Sequence, residues 1–432
     1  MTISELPPAP PAQPVDTKAD RQAGVREKTT TPKPTVLVLA STYPRWAGDH
    51  EPGFVHELAR RLTDRFRVVA LSPHASGALQ RETLDGVEVI RYRYAPEALE
   101  TLVSGGGIVT NLRRSKWKLL LVPSFLLAQM WVAWRLLRRE RIDVVHAHWL
   151  IPQGLIAALL QRLPGGRLPL VVTSHGADLF ALRGRLLAAL KRHVLRRSSA
   201  ATVVSSAMHQ PVCALGAQPA QVHVMPMGVD LRNRFTPVDG TERSRSEILF
   251  VGRLVEKKGL RHLIAAMPLV LQRAPDACLT IAGFGPEETA LRHQVQQAGL
   301  ARKVSFVGAV RQAGLAALYR RAAVFVAPFV RAGSGDEEGL GLVVAEAAGC
   351  GCPVIAGDVP AVHELLGKWP DLVVDPQDPV ALAGKIVGML EGGPEVGRVA
   401  EQLRQEILSR LDWQQVADGY ARLLSGTIES RS

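Results

Sequence analysis

The chain has 432 residues, of which 47% are hydrophobic and 21% are charged, a composition that is ordinary for a folded protein with a large core and two or three domains. Lysine and arginine outnumber aspartate and glutamate by 52 to 40, and the formal net charge of +12 favours an anionic membrane, phosphorylated ligands or nucleic acid as partners. We expect no nucleic acid, because zinc-finger spacings, RNA-binding signatures and basic helices with interleaved aromatics are missing from the sequence.

The cysteines and the N-terminal segment indicate the compartment. Four scattered cysteines, Cys213, Cys278, Cys350 and Cys352, are too few for a disulfide framework or a metal cluster, and they predict a cytosolic protein. We interpret Cys350 and Cys352 as small buried residues after a helix. Residues 1–33 are rich in proline, threonine and charge and lack the apolar core of a secretory signal. They are predicted to be a disordered tail.

Strand and helix patterns alternate over residues 34–230, which we predict to form the first domain. Short β-branched runs are typical of buried parallel strands, and Phe54, Leu58 and Leu62 keep helical spacing. Such alternation predicts a doubly wound α/β domain. The predicted strands are Thr35–Ser41, Phe66–Ser72, Val87–Tyr92, Ile142–Ala147, Leu170–Ser174 and Ala201–Ser205, and the predicted helices are Gly53–Arg65 and residues 119–137.

The longest apolar run, Leu119–Trp134, is interrupted by Pro123 and Gln129 and falls short of the roughly 20 residues that a membrane span needs. We predict a helix packed in the core. Peripheral docking on an anionic membrane is a second hypothesis, because basic residues flank the run on both sides. These are Arg113, Arg114, Lys116, Lys118, Arg135, Arg138, Arg139 and Arg141.

A polar stretch over residues 231–246 is the predicted linker to a second domain at residues 247–410. The same alternation resumes there, so two doubly wound domains are expected to face each other across a cleft. Ligands of open α/β sheets bind at the carboxyl ends of the strands. The predicted strands are Glu247–Val251, Cys278–Ala282, Val304–Val307, Val324–Ala327, Val354–Ala356 and Leu372–Val374, and the predicted helices are residues 259–273, 287–298 and 312–321.

The stretch Gly335–Pro353 combines glycines, acids and the start of an apolar helix. Glycines that open a helix leave free backbone N–H groups, which suit a phosphate. Glu338 lies beside the opening, and Glu346 lies one to two turns inside the helix. Carboxylates accept hydrogen bonds from the vicinal hydroxyls of a ribose or hexose, so a nucleotide-sugar site is one interpretation. A solvated surface helix with ordinary acids is the other, and spacing alone does not separate them.

Other strand ends carry candidate binding groups. Arg253 and Lys258 follow the strand that ends at Val251, and together they could neutralise a diphosphate or form a solvated basic loop. Gly283 closes the next strand and is weak evidence alone. His175 stands at a strand end before a glycine and an aspartate, which favours a functional role over a structural one. The loop of residues 48–53 could approach phosphate or acceptor, or could simply turn.

Taken together, the chain resembles the family-4 retaining glycosyltransferases, which have the GT-B fold. The order and spacing of the motifs match over nearly all of residues 35–425. The motifs that carry the resemblance are Glu338 and Glu346 of an E-x7-E pattern, GRLVEKKG at 252–259, SHGAD at 174–178, DVVHAHW at 143–149 and MPMGVD at 225–230.

The resemblance implies a role for each candidate residue. Arg253 and Lys258 would hold the donor diphosphate, Glu346 the ribose hydroxyls and Glu338 the sugar hydroxyls. His175 would line the sugar near the anomeric carbon. The catalytic set is therefore Glu338, His175, Arg253 and Lys258, and the remaining donor-binding positions are Gly283, Gly339, Leu340, Gly341 and Leu342.

The resemblance also assigns acceptor binding to the first domain, donor binding to the second, and a crossover back onto the first domain to residues 411–432, with a helix at about Trp413–Leu424. Two positions depart from the family pattern. Met227 stands where asparagine is frequent, and the first loop has Gly48 and Gly53 instead of an adjacent glycine pair. That loop helps to select the acceptor, so the departure bears on acceptor identity.

The expected function is retaining transfer of a hexose from a UDP- or GDP-sugar to a hydroxyl acceptor, with a lipid-linked glycan of cell-surface polysaccharide assembly as the main candidate. We expect no metal, because no Asp-x-Asp motif is present, and no cofactor other than the donor. A cytoplasmic location is expected, with peripheral attachment at the inner face of the plasma membrane as an option. The alternatives are a soluble-acceptor enzyme of the glycogen or sugar-phosphate type, and a noncatalytic nucleotide-sugar-binding partner.

Overall fold

A computed structural model describes residues 33–49, 53–103, 107–163 and 166–430. The predicted N-terminal tail, except Lys33, lies outside these residues, as do His50, Glu51 and Pro52 of the first loop. The prediction of a disordered tail therefore stays a prediction.

The first sheet has eight strands in the order β10-β9-β8-β5-β1-β2-β4-β3, and only β3 runs antiparallel to its neighbour. Its strands are β1 (Thr35–Leu39), β2 (Arg67–Pro73), β3 (Arg81–Leu84), β4 (Val87–Tyr92), β5 (Val144–His148), β8 (Leu170–Ser174), β9 (Ala200–Val203) and β10 (Val222–Val224), and β6 (Arg162–Leu163) and β7 (Gly166–Arg167) form a separate hairpin. The accompanying helices are α1 (Phe54–Leu62), α2 (Ile108–Arg114), α3 (Leu121–Arg139), α4 (Leu155–Leu160), α5 (Ala177–Phe180), α6 (Arg185–Arg197) and α7 (His209–Ala214).

The second sheet has six parallel strands in the order β13-β12-β11-β14-β15-β16. Its strands are β11 (Glu247–Val251), β12 (Cys278–Ala282), β13 (Val304–Gly308), β14 (Val324–Ala327), β15 (Val354–Gly357) and β16 (Val373–Val374). The helices are α8 (Leu260–Arg273), α9 (Glu288–Gln297), α10 (Gln312–Arg321), α11 (Leu342–Gly349), α12 (Pro360–Leu366), α13 (Pro379–Glu391), α14 (Gly393–Leu411) and α15 (Trp413–Glu429).

Both sheets reverse their direction of growth near the middle, and these reversals position the site. In the second sheet the reversal lies between β11 and β14, and in the first it lies between β1 and β5. Loops that leave the two strands on either side of a reversal part in opposite directions and open a crevice, where ligands of α/β sheets bind. The prediction of two doubly wound Rossmann-like sheets is confirmed. The predicted strands agree with the observed ones to within about two residues at each end.

Two hydrophobic clusters hold the fold together. We call β1–β10 with α1–α7 the first half of the molecule, and β11–β16 with α8–α15 the second half. The larger cluster fills the first half and continues under one face of the second sheet, where it includes Leu249 and Phe325. The smaller lies on the other face of the second sheet, between the strands and helices α8 and α13, and includes Phe250 and Ile386. Cys350 and Cys352 are both buried, as the sequence predicted for small residues after a helix.

The last helix, α15, packs against the first half of the chain. Its Asp418 pairs with Arg65 at 2.8 Å. The Tyr420 hydroxyl lies 3.4 Å from the Thr202 hydroxyl and donates to the Met225 carbonyl at 3.3 Å. A β-carbon on Gly228 would lie 2.5 Å from the Trp413 ring, so this motif glycine is required for the docking of α15.

The prediction that helix α3 is packed in the core is wrong for most of its surface. Its buried residues are Leu121, Phe125, Gln129, Ala133 and Leu136, which form a single line, and about a quarter of the apolar window is buried. The segment Lys116–Arg139 is also long and apolar enough to span a membrane by length and composition, contrary to the estimate from sequence. Pro123 falls in the first turn of α3, where no backbone hydrogen bond is lost.

Candidate functional site

The donor-side candidates meet at the carboxyl ends of three neighbouring strands. Arg253 follows β11, Gly283 follows β12, and the loop from Pro328 to Gly341 follows β14. The structure therefore brings the sequence-predicted residues of the second half together at the reversal between β11 and β14.

Close backbone packing explains two of the glycines in this region. A β-carbon on Gly259, which has φ +66°, would lie 1.7 Å from the Pro328 carbonyl oxygen. One on Gly283 would lie 1.8 Å from the Gly252 carbonyl oxygen. No side chain fits at either position, so the loops after the three strands pack directly against each other. We call the surface that these loops form the floor of the site.

Glu338 and Lys258 form the central ion pair of this floor. The Lys258 ammonium donates to Glu338 Oε2 at 2.7 Å, and both side chains are 14% exposed. The ammonium also lies 4.6 Å from the centroid of the Phe329 ring. Burial opposes the charge on Glu338, but Lys258, Lys257 and the Gly341 N–H outweigh it and lower the pKa of Glu338 to about 2. The carboxylate is thus charged and accepts hydrogen bonds at neutral pH.

Gly341 opens α11 in the left-handed conformation, with φ +76°, and Leu342 is the first residue of the helix. Leu340 is buried beneath the turn, and Gly339 lies on its outer side. The first-turn N–H groups of a helix have no partners within the helix and carry its positive dipole end. The Gly341 N–H already donates to the Glu338 carboxylate, so it is the other N–H groups of the segment Gly339–Leu342 that can receive anionic or hydroxyl oxygens.

Glu346 lies on the second turn of α11 and accepts a hydrogen bond from the Tyr319 hydroxyl at 3.0 Å. Burial raises the pKa of Glu346 to about 7, against smaller lowering effects of Tyr319, Lys258 and Arg234. The two acids of the E-x7-E pattern thus differ in protonation tendency. Glu338 is a permanent carboxylate, whereas Glu346 titrates near neutral pH.

His175 belongs to a cluster of aromatic rings at the carboxyl ends of β1, β5 and β8. Its Nε2 is 3.0 Å from Nδ1 of His148, and the two rings stack at 5.2 Å. The rings of Phe54 and Trp149 lie 4.9 and 5.0 Å from His175. Burial lowers the pKa of His175 to about 3 and that of His148 well below its usual range. Both rings are neutral, so one nitrogen of the contact donates and the other accepts.

Asp178 organises the turn that presents His175. Its carboxylate accepts from the Leu150 N–H at 2.7 Å, the Ser174 hydroxyl at 2.9 Å and the His175 N–H at 3.2 Å. Both oxygens are used in these bonds, and the side chain is buried. Asp178 therefore supports the loop and is not exposed to a ligand.

The site has two walls: the loop with His175 on the first half, and the segment with Glu338 and the start of α11 on the second half. They meet at Gly339. A β-carbon on Gly339 would lie 3.2 Å from the His175 carbonyl oxygen, and one on Gly176 would lie 3.7 Å from the Gly339 α-carbon. Nearby, Arg183 donates to the Gly335 carbonyl at 3.3 Å, and Glu364 accepts from the Ser206 N–H at 2.9 Å. His175 of the first half therefore faces the helix start of the second half.

Sequence reasoning missed several members of the site. Tyr319 lies on α10, far from the motif that carries Glu346, and its partner could be found only in three dimensions. His148 and Trp149 stood inside a quoted motif but received no role, and the positive φ of Trp149 has no sequence signal. Within the described ranges no group of three or more His, Cys, Asp or Glu side chains could hold a metal ion.

Comparison with known proteins places this geometry in a family. Residues 54–233 match the family model described as Glycosyltransferase Family 4, and residues 245–392 match that of the group 1 glycosyl transferases. Glycogen synthase of Mycobacterium tuberculosis is 31% identical over 296 residues, which are 66% of this chain and 69% of that protein. A GDP-mannose-dependent α-(1-6)-phosphatidylinositol monomannoside mannosyltransferase of Mycolicibacterium smegmatis is 30% identical over 312 residues, 69% of this chain and 80% of that protein.

Solved structures support the same fold. Sucrose-phosphate synthase from Thermosynechococcus elongatus superposes with a TM-score of 0.75 at 21% identity, covering 92% of this chain and 100% of that one. Anabaena HepE, solved with UDP and glucose, gives a TM-score of 0.66 at 17% identity, covering 91% and 99%. The matched family models, the relatives at 30% and 31% identity and the two sheets lead to one conclusion: the chain belongs to the family-4 glycosyltransferases and has the GT-B fold.

Proposed function

We propose that the protein transfers a hexose from a UDP- or GDP-hexose to a hydroxyl acceptor with retention of the anomeric configuration. The observation that carries the proposal is the position of Glu338, which pairs with Lys258 just before α11 and directly precedes Gly339, the residue that lies against the His175 carbonyl. Ionised carboxylate, ammonium and free backbone N–H groups are the partners that sugar hydroxyls and a diphosphate require.

The donor lies along the floor of the second half. Arg253 and Lys258 bind the diphosphate, and the N-terminus of α11 adds backbone donors. Glu346, on the second turn of α11, accepts from the ribose hydroxyls, and Glu338, just before the helix, accepts from the sugar. The negative charge that develops on the departing diphosphate is stabilised by groups that are already in place.

Retention follows from attack on the same face that the leaving group departs from. A bond forms between the acceptor oxygen and the anomeric carbon as the bond from that carbon to the diphosphate oxygen breaks, and the acceptor proton passes to the leaving diphosphate. A double displacement would need a carboxylate nucleophile on the opposite face. Asp178, the carboxylate next to His175, uses both oxygens in the turn, which favours the same-face route.

A lipid-linked glycan is the acceptor that we favour, because α3 exposes an apolar and basic surface on the first half. The likeness to glycogen synthase supports the second candidate, a soluble-acceptor transferase. A noncatalytic binding partner is disfavoured by the intact set of Glu338, Glu346, Lys258 and Arg253. Transfer is proposed to be metal-independent, with the basic groups in the role that a divalent ion has elsewhere.

A donor panel tests the proposal. UDP-, GDP- and ADP-hexoses are incubated with the full chain, and the release of nucleoside diphosphate is measured beside Glu338→Gln and the neighbouring variant Glu337→Gln. We expect slow hydrolysis of one donor, its loss in Glu338→Gln and its retention in Glu337→Gln. No binding of any donor in thermal-shift measurements would overturn the proposal, and binding without turnover on any acceptor would favour the noncatalytic alternative.

A further inference from the structure

Helix α3 and the turn before it form a basic segment without acids. Residues 107–139 contain seven lysines and arginines and no aspartate or glutamate. Such a segment repels other basic surfaces and attracts anionic ones. Three of these arginines, Arg135, Arg138 and Arg139, lie in the last turns of α3, and none of them pairs with a carboxylate in the part of the chain that the structure describes.

The exposed side of this segment is apolar over most of its length. Opposite the buried line, Pro123, Leu127, Trp131 and Arg135 follow each other at four-residue spacing and are all exposed. We call the following residues the docking face: Trp117, Leu119, Leu120, Leu127 and Trp131, which are 47%, 55%, 80%, 59% and 58% exposed, together with Arg135, Arg138 and Arg139. A helix with large apolar residues in water and cations at its end has the character of an interfacial helix.

A surface cavity adjoins the docking face. It has a volume of about 360 Å³ and is lined by Trp131, Trp134, Arg135, Arg138 and Arg139. The two indole rings stack at 5.0 Å, and the Arg138 guanidinium lies 5.1 Å from the Trp134 ring. Guanidinium groups hold phosphate oxygens, and tryptophan prefers the level of lipid headgroups. The cavity has the size and chemistry to receive a phosphodiester headgroup.

We propose that the docking face binds the surface of an anionic phospholipid bilayer and that the Trp131–Trp134 cavity holds a lipid phosphate. The leucines and Trp131 enter the boundary between headgroups and acyl chains, and the three arginines lie at the phosphate level. Helix α3, 19 residues and roughly 28 Å long, lies along the membrane rather than across it. Its Phe125 packs at 5.5 and 5.3 Å from the Tyr92 and Tyr94 rings, and a spanning helix would lose those contacts.

The charge of the molecule favours a bilayer over a second copy of the chain. A twofold contact through the docking face would bring together two copies of a segment that has seven lysines and arginines and no acids, in a chain that already carries +12. An anionic bilayer neutralises the same groups. The inference stands apart from the proposed reaction, because membrane binding is measured without donor or acceptor.

Vesicle sedimentation with the full chain tests the inference. Vesicles of phosphatidylcholine with phosphatidylglycerol are compared with vesicles of phosphatidylcholine alone. We expect binding to the anionic vesicles that weakens as salt is raised, and little binding to the neutral ones. Arg135→Gln, Arg138→Gln and Arg139→Gln together should lower the partition coefficient by about 100-fold, at about fivefold for each charge. Leu127→Ala with Trp131→Ala should lower it by about tenfold.

Matched controls separate the docking face from net charge and general hydrophobicity. Arg196→Gln, Arg273→Gln and Arg302→Gln remove the same charge from exposed sites elsewhere, and Leu186→Ala with Val380→Ala removes exposed apolar groups elsewhere. All variants change exposed side chains, and thermal unfolding checks that they fold. The inference would be overturned if the control variants lost as much vesicle binding as the docking-face variants, or if the docking-face variants bound like wild type. Equal binding of the wild type to neutral and anionic vesicles would also overturn it. A dimer in sedimentation equilibrium that Trp131→Ala dissociates would replace it with a contact between copies.

Discussion

The two walls of the site treat charge in opposite ways. On the second half, Lys258 and Glu338 are ionised and paired at 2.7 Å, and the pKa of Glu338 is lowered to about 2. On the first half, burial lowers the pKa of His175 to about 3 and that of His148 well below its usual range, and the rings stay neutral. One wall holds an ionised pair, whereas the other holds histidines that are kept uncharged.

This difference matches the charges that the proposed transfer develops. Negative charge grows on the departing diphosphate, beside Lys258 and Arg253. The anomeric carbon becomes cation-like in glycosyl transfer, and an imidazolium next to it would oppose that change. A neutral His175 can approach the carbon without this penalty. The contrast teaches that the first half contributes shape and a neutral polar surface, and the second half contributes electrostatics.

Removing the charge of Glu338 should have the largest effect. Glu338→Gln is expected to lower kcat/KM by about 10²–10³-fold, because in the proposed reaction the carboxylate accepts sugar hydroxyls and orders Lys258. Steady-state release of nucleoside diphosphate measures it. Glu337→Gln is the matched control, because Glu337 pairs at 3.0 Å with Arg331, which is largely exposed. It should remain within about threefold of wild type, since a pair with a solvated partner contributes little.

Lys258→Met should lower donor affinity and kcat/KM by about 100-fold, because the diphosphate loses a cation and Glu338 loses its partner. Isothermal titration with the nucleoside diphosphate and with the intact donor separates the two causes. Lys257→Met is the control. Lys257 also helps to lower the pKa of Glu338, but its hydrogen bonds go to Asp336 and the Glu337 carbonyl. An equal loss in both lysine variants would contradict the specific role of Lys258.

Donor affinity should depend on the ionisation of Glu346. Because burial raises the pKa of Glu346 to about 7, the carboxylate that we propose to accept ribose hydroxyls is lost as the pH falls through about 7. Binding should weaken up to about tenfold at lower pH. Glu346→Gln should abolish this dependence. Tyr319→Phe should move the midpoint upward, since the Tyr319 hydroxyl stabilises the carboxylate, and an unchanged midpoint would contradict this.

The same ionisation affects stability with a definite sign. The folded-state pKa of Glu346 is raised above its ordinary value of 4.5, so the protonated form is favoured by folding. Its stabilising contribution is present below the ordinary pKa and is lost as the pH rises through about 7. Thermal unfolding of wild type and Glu346→Gln across this range measures the effect. The variant should gain relative to wild type as the pH rises.

The neutral wall should give smaller effects. His148→Phe removes the nitrogen that contacts His175 and should lower kcat by about threefold to tenfold, with donor KM little changed, because it loosens only the orientation of His175. Neither histidine should add a titration to the kcat profile between about pH 5 and about pH 8. If kcat changed with pH near the ordinary pKa of histidine, and this change disappeared in His148→Phe, the prediction that both histidines are neutral would be contradicted. Addition of a chelator is expected to change the rate least of all.

Much of the fold could be predicted because local patterns determine it. The β-branched runs at Thr35–Leu39 and Glu247–Val251 are buried on both faces and therefore carry an uninterrupted apolar signal. Helices α2, α4 to α7 and α12 to α14 and the short strands β6, β7 and β10 were not identified. The strand β3 was missed as well, because its sequence, RETL, is polar and its place in the sheet depends on pairing with β4.

The site was predictable where one motif supplies neighbouring residues, as with Gly339, Gly341 and Glu346 on one loop and helix. It was not predictable where partners come from distant segments, as with Tyr319 and Glu346. Helix α3 is another feature that the sequence alone could not predict. Its composition indicated burial, but only its line of Phe125, Gln129 and Ala133 is covered. Which face of an apolar helix is covered depends on neighbours that sequence periodicity does not name.

The docking of α15 has a consequence for synthesis on the ribosome. The Tyr420 ring lies 5.4 Å from His146 on β5, and its hydroxyl reaches Thr202 on β9, so α15 contributes to the core of the half that is made first. That core stays open until the whole second half has emerged. The apolar surface of the first half that α15 covers therefore stays exposed while about two hundred further residues are translated. Chaperone binding is expected to concentrate on that surface.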